Sequence, residues 1–309
     1  MIAELTIVPP TAFSPDDIIR EVKHLPSAPK VLPRLKKLLS DGNSGMAEIV
    51  TLIRLDPGIA ARVLQMANSA YFNSHAVRCL TVDEAVQRVG YDQVYQLVSY
   101  AVASQVLVRP LEVYSLESDA LWRSSVACAI SAEVLAHRTG QDPDIAYTIG
   151  LLHRVGMVAI DEWALRHASG LKLKSTGWAR EATEAERAAL GFTQAEVGAT
   201  LLRHWNFPLA MSEPVRWQYA PLASGGQTRM ASLLLAAKWL RTAVCSDAPQ
   251  RPALPDEAQL QPLRLSPASL YEMSFEVEQQ LAAVSSLLSV ETEDQIGRMH
   301  FPAANFDRI

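Results

Sequence analysis

Apolar residues recur three and four apart in one segment after another, with polar and charged residues filling the intervals, and no alternation of two persists for a strand's length. The pattern predicts an all-α protein. After an irregular arm over 1–13, Ser14-Pro15-Asp16-Asp17 opens a helix with a serine N-cap, proline at the first position and carboxylates at the positive end of the dipole. A second helix from about Pro29 puts Val31, Leu32, Leu35, Leu38 and Leu39 on one face and stops at Asp41-Gly42. Met46 to Leu55 is short and amphipathic. Asp56-Pro57 restarts the chain, with Asp56 as N-cap, and the helix to Asn68 buries Ile59, Val63, Leu64 and Ala67. Asn68 and Ser69 can bond the backbone as they leave the helix, which predicts a structured exit. Thr81 and Glu84 read as a capping box, Gly90 closes that helix, and another runs from about Asp92 to Val108.

The second half continues the pattern. Leu116 to Thr139 is a long helix closed by Gly140, and Asp142-Pro143 opens the next one, which carries the heptad Gly150-Leu151-Leu152-His153-Arg154-Val155-Gly156. Thr183 with Glu186 and Thr193 with Glu196 are two further capping boxes, and helices follow over 194–205, 208–219 and 227–245. The prolines of 246–265 read as a linker or long loop. Ser266-Pro267 caps a last helix to about Ser289, whose Leu270, Met273, Phe275, Val277, Leu281 and Val284 need a partner. The expected division is an arm and helix start over 1–19, a main domain over 20–220, a further core helix over 221–246, the linker over 247–265, and a helix and polar tail over 266–309.

Composition narrows the function. A chain of 309 residues that is 49% hydrophobic and 20% charged can bury a proper core. Its net charge of -5 and pI near 5.8 argue against a whole-surface nucleic-acid binder. A basic face between Arg20 and Lys37, with Lys30, Arg34, Lys36 and Lys37, is what any surface helix shows, but it keeps phosphate or nucleic-acid binding as an alternative. Cys79, Cys128 and Cys245 form no C-x-x-C pair, so zinc knuckles and disulfides are not indicated. The first thirteen residues hold no basic leader, and no apolar run reaches the length of a membrane span, so a soluble, cytoplasmic protein is expected.

The candidate chemistry lies in the heptad. A His-Asp pair entering a core can hold a divalent metal that activates water for phosphoester hydrolysis. Here arginine takes the second place, a permanent cation without a lone pair, and His153 alone cannot hold a metal. His153 is then a residual ligand or proton donor, or a core histidine bonded to a neighbour, and the second reading has the better support. Arg154 needs Asp161, Glu162, another acid, or an anionic ligand such as a phosphate or cyclic nucleotide. Trp122, Trp163, Trp205, Trp217 and Trp239 read as core packing rather than a stacking platform. No nucleophile elbow, phosphate-binding loop, dinucleotide fingerprint or H-E-x-x-H occurs.

Leu25-Pro26, Asp56-Pro57 with Ala60-Ala61-Arg62-Val63-Leu64, Ala67-Asn68-Ser69-Ala70-Tyr71-Phe72, and Glu84-Ala85-Val86 through Gly90 together resemble the signature of the HDOD domain, over roughly 20–220. That family comprises bacterial signalling modules related to HD and HD-GYP phosphohydrolases. The resemblance implies an N-terminal helical bundle packed on an HD-like helical half. It also implies where metal ligands would fall, and there the chain has Ser124, His153, Arg154, Gln194, Gln218 and Ala237. Of that set only His153 is a ligand type.

The expectation is a non-catalytic signalling module without cofactor. It would act by binding a regulatory protein, or a small anionic ligand at His153 and Arg154 or at Lys30, Arg34 and Lys37, with Asp56, Pro57, Asn68, Ser69 and Gly90 as structural motif residues. The alternatives are a divergent metal-dependent phosphohydrolase using His153 with Glu186 or Glu196, and a nucleic-acid-binding regulator using the Arg20 to Lys37 face.

Overall fold

A computed structural model describes residues 13–21, 38, 45–69, 72, 77–90, 93–94, 110–168, 170–173, 178, 183–245 and 252–289. The helices expected from about 29 to 41 and from 92 to 108 fall largely outside these residues, as do Lys30, Arg34 and Lys37. Among the described residues the protein is all helical, and the one strand-like feature is an isolated antiparallel bridge between Leu111 and Leu116.

Helix α1 (Pro15–Ile19) starts in a full capping box between Ser14 and Asp17 and buries Ile18 and Ile19. Three helices, α2 (Met46–Arg54), α3 (Pro57–Ala67) and α4 (Val82–Val89), pack on one another as an N-terminal unit. Asp56 Oδ1 accepts the Ile59 amide at 2.9 Å, the cap expected ahead of Pro57. Asn68 clamps the strip before α4, accepting the Cys79 amide at 2.8 Å and donating Nδ2 to the Cys79 carbonyl at 3.0 Å, while Ser69 donates to the Met66 carbonyl. Gly90 closes α4 with φ at +85°, a backbone that a side chain would strain. The box at Thr81 is only half formed. Its hydroxyl accepts the Glu84 amide, but the Glu84 carboxylate turns to the Leu80 amide.

The larger half is built from α5 (Ser118–Thr139), α6 (Pro143–Leu152), α7 (Val155–His167), α8 (Glu184–Leu190), α9 (Gln194–His204), α10 (Leu209–Arg216), α11 (Thr228–Cys245), α12 (Glu257–Leu260) and α13 (Pro267–Ser289). Helix α5 packs on α6 and α11, and α9 packs on α7 and α10. These contacts are close because of the heptad's glycines. A methyl on Gly150 would lie 2.8 Å from both Ala129 Cα and the Cys128 carbonyl oxygen, and one on Gly156 would collide with the Gln194 carbonyl and lie 2.6 Å from the Gly198 nitrogen. Only hydrogen at these two positions lets the backbones approach.

Two expectations need correction. The heptad does not lie on one helix: α6 ends at Leu152, His153 and Arg154 make the turn, and α7 begins at Val155. Nor does the proline-rich stretch run as an open linker over the part described here. The Trp239 Nε1–H donates to the Ala253 carbonyl at 2.8 Å, and Leu260 and Leu263 are buried beside α11. Proline fixes the backbone at little entropic cost, so the segment can lie flat against α11 with few apolar anchors. The last helix does find its partner. Leu270, Met273, Val277 and Leu281 of α13 are buried on α5 and α11, each contributing about 2 kcal/mol of apolar burial, while Phe275 faces outward.

Candidate functional site

The turn between α6 and α7 is met by side chains of α5, of α11 and of the segment after α10, with α8, α9 and Tyr114 behind them. The His153 imidazole is fully buried. Its Nδ1 lies 2.6 Å from the Gly150 carbonyl, which can only accept, so Nδ1 carries the proton and Nε2 the lone pair in the neutral ring. That lone pair faces Arg241 of α11, whose Nη1 is 3.3 Å from Nε2 and donates to Ser124 Oγ of α5 at 2.9 Å. Two positions where the resemblance implies metal ligands, Ser124 and His153, thus come together on an arginine.

The next turn of α11 places Lys238 beside them. Its Nζ donates to the Gln218 carbonyl at 3.2 Å and stands 3.0 Å from the centroid of the Tyr219 ring. Gln218 in turn donates Nε2 to the His153 and Val215 carbonyls, both at 2.9 Å. Gln194, the first residue of α9, donates Nε2 to the Tyr219 hydroxyl at 3.1 Å and its backbone amide to Glu186 Oε2 at 2.7 Å. The other oxygen of Glu186 accepts the Tyr114 hydroxyl at 3.0 Å. Ala237 is buried and brings only a methyl.

The charges perturb one another. Burial first, then Arg241, Arg154 and Lys238, hold the His153 pKa well below the usual imidazole range, so the ring is neutral. Burial, with Arg241 next, pushes Lys238 well down and brings Arg154 down to about 10. Glu186 is pushed up to about 7 by burial, against the Gln194 and Tyr114 hydrogen bonds that favour its charged form. Burial also raises the Cys128 thiol, one turn along α5 from Ser124, to about 11.

Several side chains depart from their expected roles. The Thr183 and Glu186 capping box does not form, because Thr183 makes no side-chain cap bond and the glutamate is drawn inward by Tyr114 and Gln194. The Thr193 and Glu196 box forms in full, and Glu196 also pairs with Arg187 at 2.9 Å toward the surface, away from His153. Of the two acids offered to Arg154, Asp161 accepts the Val113 amide at 2.8 Å and Glu162 pairs with Arg166 at 2.9 Å. Among the described residues, Glu186 is a carboxylate whose field reaches Arg154. Among the described residues no three His, Cys, Asp or Glu side chains are grouped so as to hold a metal, and no helix is long and apolar enough to cross a membrane.

The cluster's two basic residues from α11, Lys238 and Arg241, were not singled out from the sequence. A signal existed, since both interrupt the otherwise apolar run of α11 and a cation there must find a polar contact.

Comparison with known proteins adds three findings. The family model of the HDOD domain matches residues 25–221. An uncharacterized protein of Treponema pallidum (strain Nichols) is 28% identical over 206 residues, 65% of this chain and 39% of that one, so the chain spans about two fifths of the curated relative's length. The fold is that of the MmoQ response regulator of Methylococcus capsulatus, with a TM-score of 0.64 at 21% identity over 82% of this chain and 98% of that one. It is also that of a Campylobacter jejuni virulence factor, with a TM-score of 0.65 at 18% identity over 86% and 96% of the two chains.

Proposed function

The chain belongs to the HDOD family, and from that premise we propose that it is a non-catalytic signal-transduction module that works by binding a regulatory protein. The observation that carries this reading is Arg241. Its guanidinium donates to Ser124 and faces the one imidazole lone pair a metal could use, with Arg154 and Lys238 adding positive charge around it. A divalent ion would have to displace one cation and sit among two other basic groups, with one nitrogen ligand in reach among the described residues, whereas hydrolytic sites use about three protein ligands. Glu186 is held by the Tyr114 hydroxyl on one oxygen and the Gln194 amide on the other, and no hydrogen bond between it and His153 is formed.

With His153 and Ser124 engaged by Arg241, the domain's output is assigned to its surfaces and to the relation between its two halves. The test is elemental analysis of protein purified without chelator, followed by turnover of phosphodiesters with added manganese, iron or zinc. The reading expects no stoichiometric metal and no turnover. A tightly held ion, with hydrolysis that His153→Ala abolishes, contradicts it.

A further inference from the structure

Lys238 and Arg241 stand three residues apart on α11, so both side chains leave the same face. Both are buried, at 1% and 6% exposure, and Arg154 beside them is at 7%. Among the described residues neither Lys238 nor Arg241 has a carboxylate within the 4.0 Å of an ion pair. The acid in the cluster is Glu186, and its oxygens are turned to Tyr114 and Gln194. The other titratable groups facing them, His153, Cys128 and Tyr219, are held neutral, by burial first. Burying a cation without a counter-ion costs several kcal/mol, so such an arrangement persists when an anion completes it.

Donors remain for that anion. Arg241 has five N–H groups, and its bonds to Ser124, His153 and Thr242 use three of them. The cluster also contains acceptors that lack a donor: Gln218 Oε1 and Gln194 Oε1 are buried with no hydrogen-bond partner. At Gln218 the assignment is firm, because Nε2 faces two carbonyls and must be the donor, which leaves the oxygen. A single partner for both sets would present negative oxygens to Lys238 and Arg241 and an O–H to Gln218.

We propose that Lys238 and Arg241, with Gln218, form a site for a protonated tetrahedral oxyanion of phosphate size. Hydrogenphosphate has both kinds of oxygen; sulfate has the charge without the proton. The site deepens the non-catalytic reading and rests on it, since His153 serves here to orient Arg241 and not to hold a metal.

Calorimetric titration of the whole chain at pH 7 with phosphate, and separately with sulfate, chloride holding the ionic strength constant, tests the proposal. The expected result is saturable binding of one phosphate per chain, at least tenfold tighter than sulfate. Lys238→Met and Arg241→Gln should each weaken binding tenfold or more. Lys238→Met fills the same volume without charge, so its melting temperature in chloride should not fall. No saturable phosphate binding, sulfate binding as tight as phosphate, or a folded Lys238→Met variant that binds as before overturns the site. If both variants fail to fold, the comparison of phosphate with sulfate on the unaltered chain decides alone. Phosphate binding together with metal-dependent hydrolysis would overturn the non-catalytic reading and leave the anion site standing; an inert, metal-free protein indifferent to phosphate would do the reverse.

Discussion

Arg54 and Arg241 are two arginines in one chain set against opposite surroundings. Arg54, at the end of α2, meets Glu133 at 2.8 Å, Asp144 at 3.2 Å and Asp83 at 3.5 Å, and its guanidinium lies 4.4 Å from the centroid of the Tyr147 ring. Its backbone carbonyl accepts the Tyr147 hydroxyl at 3.0 Å, and the neighbouring Leu55 carbonyl accepts the Trp122 indole at 2.6 Å. Acids from α5 and α6 thus fasten the N-terminal unit to the larger half, and with Asp83 of α4 their charge more than balances the cation. Arg241 is more deeply buried and has neutral acceptors where Arg54 has carboxylates. A compensated arginine at a half-exposed seam needs only a structural explanation. A buried cluster with surplus positive charge and orphaned acceptors points outside the chain for its complement.

The contrast can be broken at three places. The largest effect is expected from Gly156→Ala, which forces a methyl into the Gln194 carbonyl and the Gly198 nitrogen where α7 crosses α9. Backbone cannot yield as a side-chain end can, so a loss of about 4 kcal/mol or more is expected in urea unfolding. It should disperse the cationic cluster while leaving the Arg54 seam's local contacts intact, so the fluorescence of Trp122 at the seam should change after that of Trp163 on α7. A stable variant would mean that the cluster does not depend on this crossing.

Arg54→Met comes next. It leaves Glu133, Asp144 and Asp83 facing one another, but the site is partly solvated, so a cost of about 2 kcal/mol is expected, with a cut in the coupling between the halves. Salt should recover part of the loss by screening the acids. A neutral outcome would make the seam decorative and remove half of the comparison.

The smallest change concerns pH. Glu186 is raised from 4.5 to about 7, so its contribution to stability is fully present below about 4.5 and lost as pH rises through about 7. Glu186→Gln keeps a neutral side chain at every pH. The stability of the native protein minus that of Glu186→Gln should therefore fall by roughly 3 kcal/mol from pH 4.5 to 8, a shift of about 2.5 pH units at about 1.4 kcal/mol each. Chemical denaturation of both proteins across that range measures it. A difference that rises with pH would show that the carboxylate is paired more strongly with Arg154 than the geometry indicates.

The elements were legible in the sequence wherever a local signal governs them. Asp56, Thr193 and Asp142 cap the helices their spacing announces, because a cap is a bond between residues three apart. Asn68 was legible as a structured exit but not as the clamp on Cys79, whose partners lie eleven residues away. The failures were non-local. Glu186 has the spacing of a capping residue, yet a tyrosine 72 residues earlier in the chain takes it into the core. His153 was readable as a bonded core histidine, but its partner Arg241 is 88 residues further on, and no spacing rule connects them. The turn at 153–154 was hidden by a heptad apolar enough to pass for continuous helix.

The claim that Arg241 closes His153 to metal is tested most directly by 15N NMR of histidine-labelled protein, reading the two ring nitrogens of His153 from pH 5 to 8 with and without equimolar zinc. The account predicts a protonated Nδ1, an unprotonated Nε2, no titration in that range and no response to zinc. A His153 ring that titrates near the ordinary imidazole value, or an Nε2 signal that shifts on adding zinc, would contradict it.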